Sequence, residues 1–212
     1  MSLETIYEAV LNGDAQKTEA EVKAALEDGI PPEEILYKSC IPAMEEVGRL
    51  FEEGEKFVPE MLISARAMQT AMGLLKPLLL EADIKTVGKV VVGTVAGDLH
   101  DIGKNLVGMM LEGAGFEVTD LGVNIDADTY IDAIKDTGAT ILGMSALLTT
   151  TMPYMKVVID EMKERGIRED YVVLVGGAPL NQEFGEAIGA DAYCRDAPTA
   201  VEFAKELVAV AS

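Results

Sequence analysis

In the first 82 residues, apolar and polar positions follow the 3.6-residue period that is typical of amphipathic helices. Apolar residues recur at helical spacing, as in the series Ile35, Ile41, Met44 and Val47. Glycine and proline interrupt the pattern near residues 13, 29–32, 54 and 59. We therefore predict four helices that form a small bundle, at residues 3–11, 15–27, 33–51 and 59–81. Pro42 lies inside the third helix and predicts a kink there.

From residue 89 the pattern changes to short apolar runs that alternate with amphipathic segments. The runs predict strands at residues 90–96, 116–121, 140–144, 171–175 and 192–194, and the segments predict helices at 105–112, 129–137, 153–165, 183–188 and 199–210. Strands that alternate with helices form a parallel sheet covered on both faces. Five such strands suit the flavodoxin-like (Rossmann-like), doubly wound order 2-1-3-4-5, which binds ligands beyond the carboxyl ends of its strands.

The predicted organisation is an α/β chain in three parts. These are a helical bundle at 1–82, a linker at 83–88 and an α/β domain at 89–212. An apolar fraction of 49% in 212 residues is enough to build a core in such domains.

The net charge of the chain argues against binding to nucleic acids and to anionic membranes. Seventeen basic and 37 acidic residues give a net charge of −20 at pH 7, which repels phosphate backbones and anionic lipid surfaces. No apolar run approaches the ~18 residues of a membrane span, and the start of the chain lacks the basic and apolar regions of a targeting signal. We therefore expect a cytoplasmic protein that binds neither nucleic acid nor membrane. Cys40 and Cys194 have no partner at metal or redox spacing, so we expect reduced thiols.

The strongest candidate for chemistry is His100, the only histidine of the chain. It stands in Asp98-Leu99-His100-Asp101-Ile102-Gly103, directly after the first predicted strand, where this fold binds ligands. A zinc site would need three or four Cys, His or carboxylate ligands, which one histidine and two scattered cysteines do not supply. A metal that takes one protein ligand, with a macrocycle supplying the others, fits better. The alternative is a capped histidine in a solvated loop.

Two familiar catalytic motifs are approached but not met. Residues 97–104 resemble a phosphate-binding P-loop, but five residues rather than four separate the glycines, and Asn105 stands where a magnesium-binding Ser or Thr is required. The segment 143–147 falls one residue short of a nucleophile elbow, and His100 precedes its serine instead of following it. We therefore expect neither ATP binding nor hydrolase chemistry.

Three motifs at fixed spacings resemble the signature of the cobalamin-binding domain of methyltransferases and methyl-carrying corrinoid proteins. Asp98-x-His100-x-x-Gly103 is followed after 41 residues by Ser145-x-Leu147, and after 28 more by Gly176-Gly177. The segment 47–61, VGRLFEEGEKFVPEM, is similar to the helical cap domain of the same group. Nearly the whole chain thus resembles the corrinoid proteins of methylamine, methanol, betaine and methoxy-compound systems, and the matching domains of cobalamin-dependent methionine synthase.

This resemblance implies a role for each motif residue. In the family, cobalamin releases its own benzimidazole from cobalt, the base-off state, and the motif histidine binds the lower face instead, a role that falls to His100. Asp98 would hydrogen-bond the far ring nitrogen and Thr151 would extend this relay to solvent. The His100–Asp98 pair is expected to take up a proton when cobalt loses its methyl group. Further cofactor contacts are implied for Asp101, Gly103, Ser145, Leu147, Thr149, Gly176 and Gly177.

The displaced nucleotide tail would enter a slot lined by Ser145, Leu147 and the two glycines, so a larger side chain at either glycine should obstruct it. The helical domain would lie over the upper face of the corrin. Phe51, Val58 and Met61 resemble the apolar residues that shield the methyl group there, and core packing within the bundle is their alternative role. Because a partner must still reach the methyl group, we expect this cap to move as a unit about the linker at 83–88.

The implied function is a carrier that holds a methyl group on cobalt as methylcobalamin and retains cob(I)alamin once the methyl group has been transferred to an acceptor. Its partners would be a substrate-specific (β/α)8-type methyltransferase, a second methyltransferase acting on tetrahydrofolate or a thiol such as coenzyme M, and a reductive activase. Without these partners the carrier is not itself a catalyst. Two alternatives stay open, a cobalamin-binding sensor or regulator and the cobalamin subunit of a mutase. The cap segment 57–60 argues against the mutase, and no DNA-binding or signalling module is evident beside the two domains.

Overall fold

The computed structural model describes residues 3–81 and 86–211, and the chain divides into two compact units. One comprises Met1–Thr86 with Glu112–Gly115, and the other comprises Val87–Leu111 with Phe116–Ser212. Residues 83–85 of the predicted linker lie outside the described residues, so the linker stays a prediction. None of the described helices combines the length and the apolar character that crossing a membrane requires.

The first unit is helical, as predicted. Its elements are α1 (Leu3–Leu11), α2 (Ala15–Glu27), α3 (Pro32–Ile35), a π-helical turn (Leu36–Cys40), α4 (Ile41–Glu52) and α5 (Val58–Glu81). The sequence pattern predicted α1 and α2 with these bounds because strong local signals mark where these helices begin and end. Asp14 is one such signal, since its side chain accepts a hydrogen bond from the Lys17 backbone N–H at 2.9 Å and caps α2. The apolar faces form a buried core that includes Ile6, Val10, Val22, Ile35, Val47 and Met68.

Pro42 does not break the third predicted helix. Residues 32–52 form one helical run, in which Cys40 and Ile41 keep right-handed helical dihedrals. The proline is accommodated by the π-helical turn before it, where the Ile41 N–H donates to the Leu36 carbonyl five residues back. A wider turn relieves the clash between a proline ring and the preceding helical carbonyl. A π-helical turn is itself a place where helices bend, so the kink at Pro42 stays a prediction.

The second unit is the predicted α/β domain. Its elements are β1 (Lys89–Thr94), α6 (Ile102–Gly113), β2 (Glu117–Asp120), α7 (Ala127–Thr137), β3 (Ile141–Ser145), α8 (Tyr154–Glu164), a 3-10 turn (Arg168–Asp170), β4 (Val172–Gly176), α9 (Gln182–Ile188), β5 (Ala192–Cys194) and α10 (Ala197–Ala211). All strand pairs are parallel, and the strand order is β2-β1-β3-β4-β5. The doubly wound order predicted from the sequence is confirmed. The carboxyl ends of all five strands consequently meet at one edge of the sheet.

The two faces of the sheet differ in what covers them. Val91 of β1, and Val95 just after this strand, face a core formed with α7, α8 and α9, whose buried residues include Tyr130, Ile134, Met155 and Ile159. Gly93 lies under Tyr130, because a Cβ at this glycine would come within 2.8 Å of the tyrosine ring and hydroxyl. That hydroxyl is buried and has no hydrogen-bond partner among the described residues. Val92 faces the opposite side, where it approaches Gly108 of α6.

Candidate cofactor site

A buried carboxylate, Asp98, organises the carboxyl edge of the sheet. Its Oδ1 accepts hydrogen bonds from His100 Nδ1 at 2.7 Å and from the His100 backbone N–H at 3.1 Å. Its Oδ2 accepts from Thr151 Oγ1 at 2.6 Å and from the backbone N–H groups of Leu147 and Leu148 at 2.8 and 3.3 Å. Burial raises the pKa of Asp98, but hydrogen bonds from Thr151, Leu147 and His100 outweigh it and hold this pKa well below its usual range. Asp98 is therefore an anion.

The Asp98 contact determines which nitrogen of His100 is a base. An ionised carboxylate only accepts hydrogen bonds, so the Nδ1 atom that faces it carries the proton and donates. The lone pair then belongs to Nε2, the nitrogen on the far side of the ring. Half of the side-chain surface of His100 is exposed. His100 thus offers one oriented nitrogen ligand at the carboxyl edge.

The loop that carries His100 is fixed at three further points. Thr94 Oγ1 donates to the His100 carbonyl oxygen at 2.8 Å. The Asn124 backbone N–H donates to the Asp98 carbonyl at 3.0 Å, and its side-chain Oδ1 accepts from the Gly97 N–H at 2.7 Å. Asn124 and Gly97 both have positive φ, 59° and 82°, a conformation that these two residue types tolerate best. The loop is therefore preformed in the protein.

Exposed apolar side chains lie beside the histidine. Leu99 and Ile102 flank it along the chain and are more than 70% exposed. Leu147 and Leu148, whose backbone N–H groups bond Asp98, also have exposed side chains. An apolar surface around a polar ligand group suits a large, mostly apolar molecule better than a hydrated ion.

A row of small residues crosses the sheet next to this edge. Thr94 of β1 is in register with Ser145 of β3, which pairs with Gly176 of β4, which pairs with Cys194 of β5. Paired residues of neighbouring parallel strands share a face, so these four side chains lie on one side of the sheet. Ser145 and Gly176 in the middle of the row are partly exposed, whereas Thr94 and Cys194 at its ends are buried.

Gly177 has a structural role that the sequence did not reveal. A Cβ at this position would lie 1.8 Å from the Ala146 carbonyl oxygen, and its φ of 134° disfavours other residues. A Cβ at Gly176 would meet the Cys194 carbonyl oxygen at 3.0 Å, a much milder contact. The expectation that a larger residue at either glycine obstructs a ligand slot therefore needs correction for Gly177, because the backbone of Ala146 is displaced first.

We expect Gly177→Ala to destabilise the protein without any cofactor, by about 2 kcal/mol or more, because neither the close backbone approach nor the positive φ tolerates a Cβ. Gly103→Ala is the matched control. A Cβ at Gly103 meets no atom within 4 Å, and alanine favours the helix in which it lies. Urea unfolding of both proteins without cofactor measures the difference. Equal stabilities would contradict the role assigned to Gly177.

The other predicted site residues lie in less constrained places. Asp101 and Thr149 are exposed, and the Asp101 carbonyl accepts the first hydrogen bond of α6, from Asn105 at 2.8 Å. In the helical unit, Phe51 is half-buried and Val58 is exposed, whereas Met61 is fully buried. Met61 accordingly offers no surface to a ligand in this conformation.

Sequence reasoning missed Thr94, Asn124 and Cys194. The first two hold the histidine loop, and the third completes the row of small residues. One weak signal existed for Asn124, since asparagine after Gly122-Val123 is a residue type that adopts positive φ. Nothing local distinguishes Thr94 from any other threonine at a strand end. Cys194 is a free, buried thiol, and burial raises its pKa to about 12.

Comparison with known proteins identifies the family. The B12 binding domain family matches residues 88–204, and a second B12 binding domain family matches residues 2–76. Dimethylamine corrinoid protein 3 of Methanosarcina acetivorans is 44% identical over 207 residues, which is 97% of this chain and 96% of the relative.

Two solved structures extend the similarity to the fold. The methanol:cobalamin methyltransferase complex MtaBC from Methanosarcina barkeri matches with a TM-score of 0.87 and 32% identity, over 98% of this chain and 79% of that chain. A cobalamin-binding protein from Desulfitobacterium hafniense matches with a TM-score of 0.79 and 31% identity, over 97% of this chain and 98% of that one. The chain therefore belongs to the corrinoid proteins of methyltransferase systems, a family with B12 binding domains, and cobalamin is its cofactor.

Proposed function

We propose that this protein holds cobalamin in the base-off state with His100 Nε2 as the protein ligand of cobalt, and carries a methyl group between two methyltransferases. When bound, cobalamin supplies a cobalt centre that accepts and releases a methyl group. One observation carries the proposal: His100 has its Nδ1 fixed by the buried Asp98 carboxylate while half of its side chain is exposed. A histidine held in this way is arranged as a metal ligand.

The donor set suits a metal that needs one protein ligand. No group of three His, Cys, Asp or Glu residues that could hold a metal ion occurs among residues 3–81 and 86–211. Hydrogen bonding of Nδ1 to Asp98 makes Nε2 a stronger donor and directs the ring. Thr151 Oγ1, at 2.6 Å from Asp98 Oδ2, restrains the carboxylate in turn. A macrocycle that brings its own equatorial ligands fits this arrangement.

The surroundings of His100 suit the rest of the cofactor. Leu99 and Ile102 would contact the apolar face of the corrin, and the open space at Gly103 would let the ring approach the helix N-terminus. Leu147, Thr149 and Asp101 would contribute the rim of the site. The row of small residues, with Ser145 and Gly176, would take the nucleotide tail. The partial exposure of Ser145 and Gly176 and the open space beside Gly103 support these contacts.

We propose a methylated amine as the first methyl source to test, because the relative at 44% identity is a dimethylamine corrinoid protein. A substrate-specific methyltransferase would deliver the methyl group, and a second methyltransferase would pass it to tetrahydrofolate or coenzyme M. A reductive activase would restore the reduced cofactor. Phe51 and Val58, which present surface in the helical unit, would shield the methyl group.

The proposal is tested by reconstituting the chain with hydroxocobalamin and recording the visible spectrum. The protein is then reduced chemically and mixed with dimethylamine and a dimethylamine-specific methyltransferase, with parallel mixtures for monomethylamine, trimethylamine and methanol. We expect the spectrum of a methylated, histidine-ligated corrinoid with at least one pair, and repeated turnover once an acceptor methyltransferase is added. Binding of cobalamin without methylation by any pair would contradict the carrier and favour a sensor. Absence of binding would contradict the cofactor site itself.

A further inference from the structure

Thr94 holds the main chain of His100. It is the last residue of β1 and is fully buried. Its Oγ1 donates to the His100 carbonyl oxygen at 2.8 Å. Six positions separate the two residues, so this hydrogen bond closes the loop that carries the histidine.

The hydroxyl of Thr94 is itself held firmly in place. The Thr94 backbone N–H donates to the Gly122 carbonyl at 3.0 Å, and its own carbonyl accepts from the Ile125 N–H at 2.9 Å. On the other side, Thr94 is in register with Ser145 of the neighbouring strand β3. The position of this hydroxyl is therefore set by the segment after β2 and by the pairing with β3, and not by the loop that carries His100.

His100 is consequently restrained at three atoms. Asp98 holds ring Nδ1 and the backbone N–H, and Thr94 holds the carbonyl oxygen. Both contacts of Asp98 end on the same carboxylate oxygen, so by themselves they would let the residue turn about that oxygen. The bond from Thr94 fixes the main chain at a second, independent point. Since a ligand nitrogen must meet its metal at the correct distance and direction, both restraints bear on coordination.

We infer that Thr94 is a positioning residue for cobalt ligation, which acts through the His100 main chain. The inference rests on the proposed function, because it concerns the nitrogen that would bind cobalt. The Thr94 hydroxyl bonds the His100 main chain and not its imidazole ring. Losing its hydroxyl should weaken histidine ligation more than it weakens the binding of the cofactor as a whole, which other residues support.

Three variants separate the hydroxyl from the rest of the side chain. Thr94→Val keeps the branched shape and removes the donor, whereas Thr94→Ser keeps the donor and removes the methyl group. Thr18→Val is a matched control, because Thr18 is also fully buried and its hydroxyl also donates to a carbonyl, that of Asp14, at 2.8 Å. Thr18 belongs to the helical unit. Thr94→Ala replaces Thr94→Val if the latter does not fold.

Two measurements read the position of the imidazole. Because His100 is the only histidine, the tag-free protein without cofactor gives a single set of imidazole nitrogen signals in an NMR spectrum. In the cobalamin-loaded protein reduced to cobalt(II), nitrogen splitting in the EPR spectrum reports the histidine-ligated fraction. For Thr94→Val we expect shifted imidazole signals and an about two- to tenfold lower equilibrium constant for ligation, the range that one neutral hydrogen bond gives. Thr94→Ser and Thr18→Val should match the native protein in both measurements.

The inference is overturned if folded Thr94→Val keeps native imidazole signals and a native ligated fraction. It is also overturned if Thr94→Ser loses ligation as strongly as Thr94→Val, since packing and not the hydroxyl would then be responsible. A different result would contradict the proposed function: the native protein itself would show no histidine-ligated cobalt. The NMR comparison of cofactor-free proteins would still decide whether Thr94 positions His100.

Discussion

His100→Ala is expected to keep its fold and lose the nitrogen ligand of cobalt. The side chain is half exposed, so its removal should change the free energy of unfolding by about 1 kcal/mol or less. The chain has no other histidine that could take over. In the cobalamin-loaded protein reduced to cobalt(II), EPR should therefore show no nitrogen splitting from the protein, and the visible spectrum should shift accordingly.

Free imidazole provides the control for this variant. Alanine leaves the space of the ring empty beside Asp98, which can still accept a hydrogen bond from an added imidazole. We expect imidazole to restore nitrogen splitting in His100→Ala and to leave the native protein unchanged. Nitrogen splitting in the variant before imidazole is added, with isotope labelling tracing it to the protein, would show that another group binds the cobalt.

Asp98→Asn is expected to have the largest effect on stability. The Asp98 carboxylate is fully buried and accepts five hydrogen bonds, from His100, Leu147, Leu148 and Thr151. An amide turns one of the two acceptor oxygens into a donor, which then faces groups that donate to the carboxylate in the native protein. We expect a loss of about 3 kcal/mol in the free energy of unfolding of the cofactor-free protein, measured in urea. The imidazole of His100 should also lose its single tautomer in NMR spectra.

The stability difference between the native protein and Asp98→Asn should depend on pH in one direction. The pKa of Asp98 is held low in the folded protein, so its stabilisation is complete above about 4, the ordinary pKa of an unfolded aspartate. It should decline as the pH falls toward the depressed folded value. Asp126→Asn is the control, because Asp126 caps α7 by accepting from the Thr129 N–H at 2.9 Å, and asparagine caps equally well. A control as unstable as Asp98→Asn would contradict the special role of the buried carboxylate.

The two variants separate two properties of the site. His100→Ala removes a ligand and spares the protein, because an exposed ring contributes little to folding. Asp98→Asn removes the group that holds the ligand and also holds the segment after β3, since Leu147, Leu148 and Thr151 all bond it. If Asp98→Asn left stability unchanged but abolished histidine ligation, its role would be confined to the cofactor.

Local patterns in the sequence were sufficient for the fold class and for most elements. Breakers and caps predicted α1 and α2 within their observed bounds, and alternation of apolar runs with amphipathic segments predicted the parallel sheet and its order. These features follow from side-chain periodicity and from backbone sterics, which act over a few residues. The spacing of the three motifs likewise indicated the family before any contact was known.

Contacts between distant residues were beyond what local patterns encode. The π-helical turn before Pro42 was not predicted, and β1 ends at Thr94 with only an isolated bridge at Val95, two residues before the predicted end. Only the packed structure showed that Ala146 requires a glycine at position 177 and that Met61 is buried.

In the candidate site, too, some features could be predicted from the sequence and others depend on tertiary contacts. Asp98, His100 and Gly103 could be predicted together because they lie within six residues and form one motif. That the Asp98 carboxylate is fully buried, with donors 49 to 53 residues further along the chain, depends on how β1 and β3 pair. The sequence by itself determined the residue types and their spacing, because these are chemical and local. The tertiary structure decided burial, the ionised state of Asp98 and the part played by Thr94, because these depend on which distant groups the fold brings within hydrogen-bond distance.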